Sequence, residues 1–192
     1  MHRDYNGRVA CWRLTIVLPI LLTLAVGAGA QAPASLAPYV PTPPDVVARM
    51  LALARTGPGD TVVDLGCGDG RIVIAAAQKF GARGIGIDID EGLIARARDN
   101  ARAAGVADRV TFRVEDAMTA DVSGATVVTL YLLSASNVKL RPILTRQLRP
   151  GARIVAHNFP MGDWEPQTID NFTDAAGTMR TLYLWTADGA VH

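Results

Sequence analysis

Apolar positions in this chain fall into short runs divided by turns, and the runs alternate between strand-like and helix-like spacing. Asp45 stands as an N-cap before Val46, Val47, Met50, Leu51 and Leu53, whose helical spacing carries to Gly57. Pro58-Gly59-Asp60 ends that pattern as a turn. β-Branched runs follow at Thr61–Leu65, Arg83–Ile87, Val110–Val114, Ala125–Tyr131 and Ala152–Phe159. They lack strict alternation, as expected of strands buried on both faces. Helical spacing fills Arg71–Phe80, Glu91–Ala104 and Val138–Leu148, the last expected to be regular only from Pro142 onward. Strands alternating with helices predict an α/β, doubly wound, mostly parallel sheet. Beyond the fifth strand the rhythm changes. Trp164–Phe172 and Met179–Ala187 lie too close together for an intervening helix, which predicts a C-terminal antiparallel hairpin completing a seven-stranded sheet.

The N-terminal residues stand outside this pattern. Arg3, Arg8 and Arg13 precede the apolar run Leu14–Gly27, and Ala28-Gly29-Ala30 forms a small-residue cleavage pattern before Gln31. That run is shorter than the about 20 residues a spanning helix needs, and Pro19 interrupts it. Residues 1–30 are therefore expected to be a cleaved signal peptide, or failing that an uncleaved anchor attaching the chain to a membrane through residues 14–27. Both place the domain outside the cytoplasm, exported or periplasmic. A start codon assigned too far upstream would leave it cytoplasmic. Residues 31–44 form a Pro/Ala-rich linker ending in Tyr39-Val40-Pro41-Thr42-Pro43, and residues 45–192 form one domain.

Composition narrows the partners. The chain has 192 residues, 49% of them hydrophobic, and a net charge of +1, enough apolar content for one packed core. Nothing in that balance concentrates positive charge, so no nucleic-acid partner is expected. A monomer is expected. Cys11 lies in the leader and Cys67 in a glycine-rich turn, which leaves no internal disulfide once the leader is gone. Cys67 has no base near it in the sequence and reads as the small residue a tight turn needs. The histidines lie far apart, so no metal site is expected.

The candidate chemistry sits at strand ends. Asp64-Leu65-Gly66-Cys67-Gly68-Asp69-Gly70 follows the first strand and opens a helix. Glycines there let the backbone approach a ligand closely, and the helix N-terminus suits a carboxylate. Asp88 ends the second strand, with Ile89 beside it, where a carboxylate can accept both hydroxyls of a ribose. Glu115-Asp116 follows the third strand, where an acceptor can take an adenine amine; Asp116 is the first choice and Glu115 the alternative. Asp64, Gly66, Cys67, Gly68, Gly70, Asp88, Ile89, Glu115 and Asp116 thus outline one crevice at the carboxyl ends of successive strands, where open α/β sheets bind ligands. A dinucleotide-binding domain is the rival reading. Its G-x-G-x-x-G pattern requires glycine where this chain has Arg71, and the hairpin uses the length a second nucleotide-binding half would need.

Taken together, Tyr39-Val-Pro-Thr-Pro43, Val62-Val-Asp-Leu-Gly-Cys-Gly-Asp-Gly-Arg-Ile72, Ala125-Thr-Val-Val-Thr129 with Leu132-Leu133, and Leu148-Arg-Pro-Gly-Ala-Arg153 resemble the small seven-β-strand protein-lysine methyltransferases. That group includes archaeal broad-specificity enzymes and the mitochondrial enzymes acting on the ATP synthase c subunit and the adenine nucleotide translocase. The resemblance covers about residues 39–187. It implies a Rossmann-like class I fold, S-adenosylmethionine (SAM) as cofactor, and a protein partner with an accessible lysine. It also places Tyr39 and Thr42 over the cofactor and Tyr131 at the usual acceptor position, the three candidate catalytic residues. The chain lacks the Asn/Asp-Pro-Pro-Tyr run of enzymes acting on planar nitrogens. A lysine acceptor must lose its proton first. With an ordinary pKa near 10.4, only about one amine in 2,500 is neutral at pH 7. No side chain stands out as a dedicated base, so a pocket that orients and desolvates the amine is expected. His157 and Asn158, ending the fifth strand, could touch the acceptor or serve the core, and Trp164 could wall the substrate or pack inside. A small-molecule methyltransferase and an inactive, exported SAM-fold binding protein remain the alternatives.

Overall fold

A computed structural model describes residues 35–192. The leader and the first linker residues, 31–34, lie outside the described residues. The strands are β1 (Thr61–Leu65), β2 (Arg83–Asp88), β3 (Val110–Val114), β4 (Val127–Leu130), β5 (Arg153–His157), β6 (Thr168–Thr173) and β7 (Met179–Thr186). The helices are α1 (Pro44–Leu53), α2 (Arg71–Phe80), α3 (Glu91–Ala103) and α4 (Ser134–Gln147). All seven strands form one sheet in the order β3-β2-β1-β4-β5-β7-β6, with β7 antiparallel to both β5 and β6. The predicted doubly wound sheet and its closing hairpin are both present.

The lack of alternation in the strands has its reason in this layering. Val62 pairs with Val127 and points to one core, which α1, α2 and α3 cover. Val63 pairs with Val128 and points to the opposite core, which α4 and the segment around Ala117–Ala125 cover. Either face must be apolar, so neighbouring positions along a strand are apolar together.

Two helix starts differ from the sequence expectation. The N-cap of α1 is Pro43 and carries no side-chain cap, because Pro44 already presets the first helical turn. Asp45 lies inside that turn and accepts the Ala175 N–H at 2.7 Å, tying α1 to the β6–β7 turn. Arg49 completes the attachment with bonds of 2.6 and 2.8 Å to Asp170 and a guanidinium 4.3 Å above the Phe172 ring. Helix α4 begins at Ser134 and runs through Pro142. Proline removes the N–H that would reach the Val138 carbonyl, and Val138 lies on the exposed side where water can serve instead. Strand boundaries contract as well: β4 excludes Ala125, Thr126 and Tyr131, and β5 ends before Asn158, whose φ of 62° breaks the extended run.

The topology locates the site. From β1 the chain winds outward to β2 and β3, and from β4 it winds the other way to β5. The crevice between β1 and β4, at the carboxyl ends of the strands, is the switch point where such sheets hold ligands. The opposite edge is given to structure, where Arg153 of β5 binds the Asp60 carboxylate and also donates to the Ala54 carbonyl at 2.7 Å.

Candidate active site

The loop after β1 hangs from the end of β2. Ile87 accepts the N–H groups of Gly66 and Cys67 at 2.8 and 3.0 Å, and Asp88 Oδ2 accepts that of Gly68 at 2.9 Å. Asp88 Oδ1 takes the Asp90 N–H at 3.0 Å. The carboxylate expected to meet a ribose thus also sets the loop's shape. It keeps unused lone pairs, since an ionised carboxylate offers about four acceptor positions.

Around this loop lies a cavity of about 400 Å³. Asp64, Gly66, Cys67, Gly68, Asp88, Ile89, Glu115, Asp116, Tyr39, Thr42 and Tyr131 all line it, so nearly every residue singled out in the sequence converges there. Gly70 does not. It caps α2 in the left-handed region at φ 79°, and a Cβ there would sit 2.6 Å from the Phe112 ring. Its role is to start the helix against the core.

The far wall is a strap. Residues 35–42 cross the cavity, fastened at one end by Ser136 Oγ donating to the Leu36 carbonyl at 2.6 Å. At the other end Arg71 Nη1 donates to the Thr42 carbonyl at 2.9 Å. Arg71 is in turn held by Asp69 through bonds of 2.9 and 2.7 Å. Sequence reasoning uses Arg71 only to exclude the dinucleotide pattern and misses this clamp. A backbone acceptor 29 positions away leaves no trace in side-chain spacing. Asp69 also accepts the Arg71 N–H at 3.3 Å, so the α2 terminus offers a ligand one N–H fewer than the loop pattern implies.

Charge in the cavity is one-sided. Among the described residues Asp64, Asp69, Asp88, Asp90, Glu115 and Asp116 face it, and the one arginine of that lining, Arg71, is paired with Asp69. Such a wall suits a ligand carrying positive charge and hydroxyl or amine donors. Asp116 and Glu115 both reach it. Asp116 Oδ1 is engaged by the Met118 N–H at 2.9 Å, whereas Glu115 has Arg113 as a loose partner at 3.8 Å.

Asp64 is 2% exposed and accepts the Thr129 hydroxyl at 2.7 Å. Burial pushes its carboxyl up to about 7, against the Thr129 bond and with the help of Asp88 and Asp69. A group ionising near 7 when folded, against 3.8 in the open chain, favours the fold fully below about pH 4. That contribution is lost as pH rises through 7. The ligand-free protein should therefore lose melting temperature between about pH 5 and 7, and Asp64→Asn should flatten this slope. An unchanged slope in the variant would contradict the assignment. Cys67 is buried and its thiol is pushed up, first by burial and then by Asp64 and Asp88, which makes it inert as a nucleophile.

Of the residues left open by the sequence, Trp164 packs on Trp185 and accepts its indole N–H at 2.8 Å, a core role. Asn158 is occupied by the backbone of Thr181. Among the described residues no group of three metal-ligating side chains occurs, and no helix is long and apolar enough to cross a membrane.

The sequence pattern of the ANTKMT methyltransferase domain matches residues 64–168, from the loop aspartate to the first residue of β6. The chain belongs to this methyltransferase family. A protein-lysine N-methyltransferase of Saccharolobus islandicus is 42% identical to it over 150 residues, 77% of this chain and 92% of that one. The Xenopus laevis lysine N-methyltransferase of the ATP synthase c subunit is 33% identical over 151 residues, and the match spans 63% of that longer chain. Among solved structures, a Salinibacter ruber protein described as an RNA methyltransferase, in complex with S-adenosyl-L-homocysteine, superposes with a TM-score of 0.74. Its identity is 54%, over 80% of this methyltransferase and 97% of that chain.

Proposed function

We propose that the protein transfers a methyl group from SAM to the ε-amine of lysine in a protein substrate. The observation that carries this reading is the 42% identity to a protein-lysine N-methyltransferase across 92% of its length. The cavity fits SAM in volume and in sign, with Asp88 ready for the ribose diol and Glu115 or Asp116 for the adenine amine. SAM, when bound, supplies an activated methyl group on a positively charged sulfur.

The chain's own residues do the rest. The strap closes the cavity against water, Asp88 fixes both loop and ribose, and Tyr131, Tyr39 and Thr42 border the acceptor side. In-line displacement gains most from such alignment and from a dry site. No histidine or lysine is among the described residues that line the cavity. Desolvation disfavours the ammonium form, so the amine leaves its proton to bulk water as it enters, and the pocket orients the neutral nitrogen. The cavity is open beside Tyr39 and Val40, both substantially exposed, and admits a protruding side chain. Export or membrane attachment through the leader belongs to the same proposal. Fractionation of cells should find the native protein outside the cytoplasm, and a full-length cytosolic product would overturn that part.

RNA is the second reading, favoured by the description of the Salinibacter ruber relative. Against it, the cavity rim carries Asp90, Glu115 and Asp116, and net charge is only +1. Phosphate backbones call for the reverse. Purified protein with labelled SAM, offered cell protein and cell RNA separately, decides between them. Label recovered as methyl-lysine after protein hydrolysis supports the proposal, and label confined to RNA overturns it.

A further inference from the structure

Tyr131 lies just past the end of β4, half-buried, with its ring facing the cavity. Behind it, at the end of β5, sits His157. The imidazole is 0% exposed and stacks on the Tyr131 ring with centroids 4.0 Å apart at 30°. Phe159 extends the stack at 6.3 Å. Neither ring nitrogen of His157 has a hydrogen-bond partner among the described residues, and His157 itself does not line the cavity. A buried histidine with no polar bond and no access to ligand can act only through what it touches, and the ring it stacks on is that of Tyr131.

We infer that His157 is a positioning residue, whose stacked ring fixes the face that Tyr131 turns toward the methyl-transfer end of the cavity. The inference rests on the proposal that Tyr131 borders the acceptor. Its physical logic is electrostatic. An aromatic face attracts positive charge, and positive charge is present on cofactor sulfur before transfer and on acceptor nitrogen after it. The ring behind must then be uncharged, because a cation there would compete for the same π-density and repel the reacting centre. The fold arranges this. Burial pushes His157 down to about 4, Arg180 on β7 adds to the shift, and Asp174 opposes it. Arg180 and Asp174 are bonded to each other at 2.7 Å, so neither is free to pair with the imidazole.

The test uses the full chain with His157→Phe, which keeps a flat ring, and His157→Ala, which removes it. His157→Ala should lower kcat/KM for the protein acceptor about tenfold while SAM affinity measured by calorimetry stays within about twofold. His157→Phe should remain within about threefold of wild type with the same pH–rate profile. In a Tyr131→Ala background, His157→Ala should add little further loss, as expected of a residue acting through Tyr131. A collapse of turnover or an altered pH profile in His157→Phe would show the nitrogens at work and overturn the inference. So would an independent, multiplicative loss in the Tyr131→Ala background. The NMR signals of the Tyr131 ring protons provide a readout apart from turnover. They should move in His157→Ala, and unchanged signals would refute the contact. If the wild-type chain transfers no methyl group to protein, the lysine proposal fails while the ring signals still decide the stack. Should His157→Ala not fold, His157→Phe and its pH profile decide alone.

Discussion

Replacing Asp88 by alanine is expected to weaken SAM binding by at least about 100-fold, the largest effect of any single change in the cavity. Two losses coincide at this residue. The ribose would lose a charged acceptor, and the loop would lose the anchor that holds the Gly68 N–H at 2.9 Å and the Asp90 N–H at 3.0 Å. Bonds to charged groups contribute about 1.5–3 kcal/mol each, so losing two accounts for the expected factor. Asp88→Asn separates charge from shape. Its amide can present one oxygen but sets an N–H donor against a second backbone N–H, and it should fall between wild type and alanine. Calorimetry with SAM gives the result, and unchanged affinity in Asp88→Ala would remove the ribose assignment.

Gly68→Ala should come next, weakening SAM binding about 10- to 100-fold. Gly68 sits at φ +54°, where a Cβ costs about 1–2 kcal/mol in backbone strain. The added methyl would also stand 2.5 Å from Tyr39 Cε2, so either the strap or the loop must shift. Limited proteolysis should then cut the strap around residues 35–43 faster than in wild type. Gly124→Ala is the control, because a Cβ there meets nothing within 4 Å. Equal behaviour of the two variants would contradict the close approach of strap and loop.

How much of the molecule is legible in its sequence depends on the kind of interaction that makes each feature. The sheet is readable because Val62, Val63, Val127 and Val128 must each be apolar to serve one of two cores. The cofactor cavity is readable because Asp88 ends β2 and Glu115-Asp116 directly follow β3, strands whose carboxyl ends the topology brings to a common edge. The start of helix α4 escapes the sequence because the rule against internal proline assumes a carbonyl with no other partner, and Val138 lies where water can supply one. Asp45 has the residue type and place of a cap, but Pro44 already fixes the first turn and frees the carboxylate to hold Ala175. The Arg71 clamp on Thr42 and the His157 stack under Tyr131 are not legible. Each joins residues far apart in the chain through a backbone oxygen or a ring face, and neither leaves a periodic signal.

Lysine specificity is the central claim, and proteome-wide mass spectrometry of lysine methylation tests it most directly. The comparison is between the parent organism, a strain lacking this protein, and that strain carrying either the wild-type or the Asp88→Ala form. Methyl increments on at least one protein lysine should vanish with the deletion, return with the wild-type form, and stay absent with Asp88→Ala. A lysine methylation profile identical in all four strains would contradict the account.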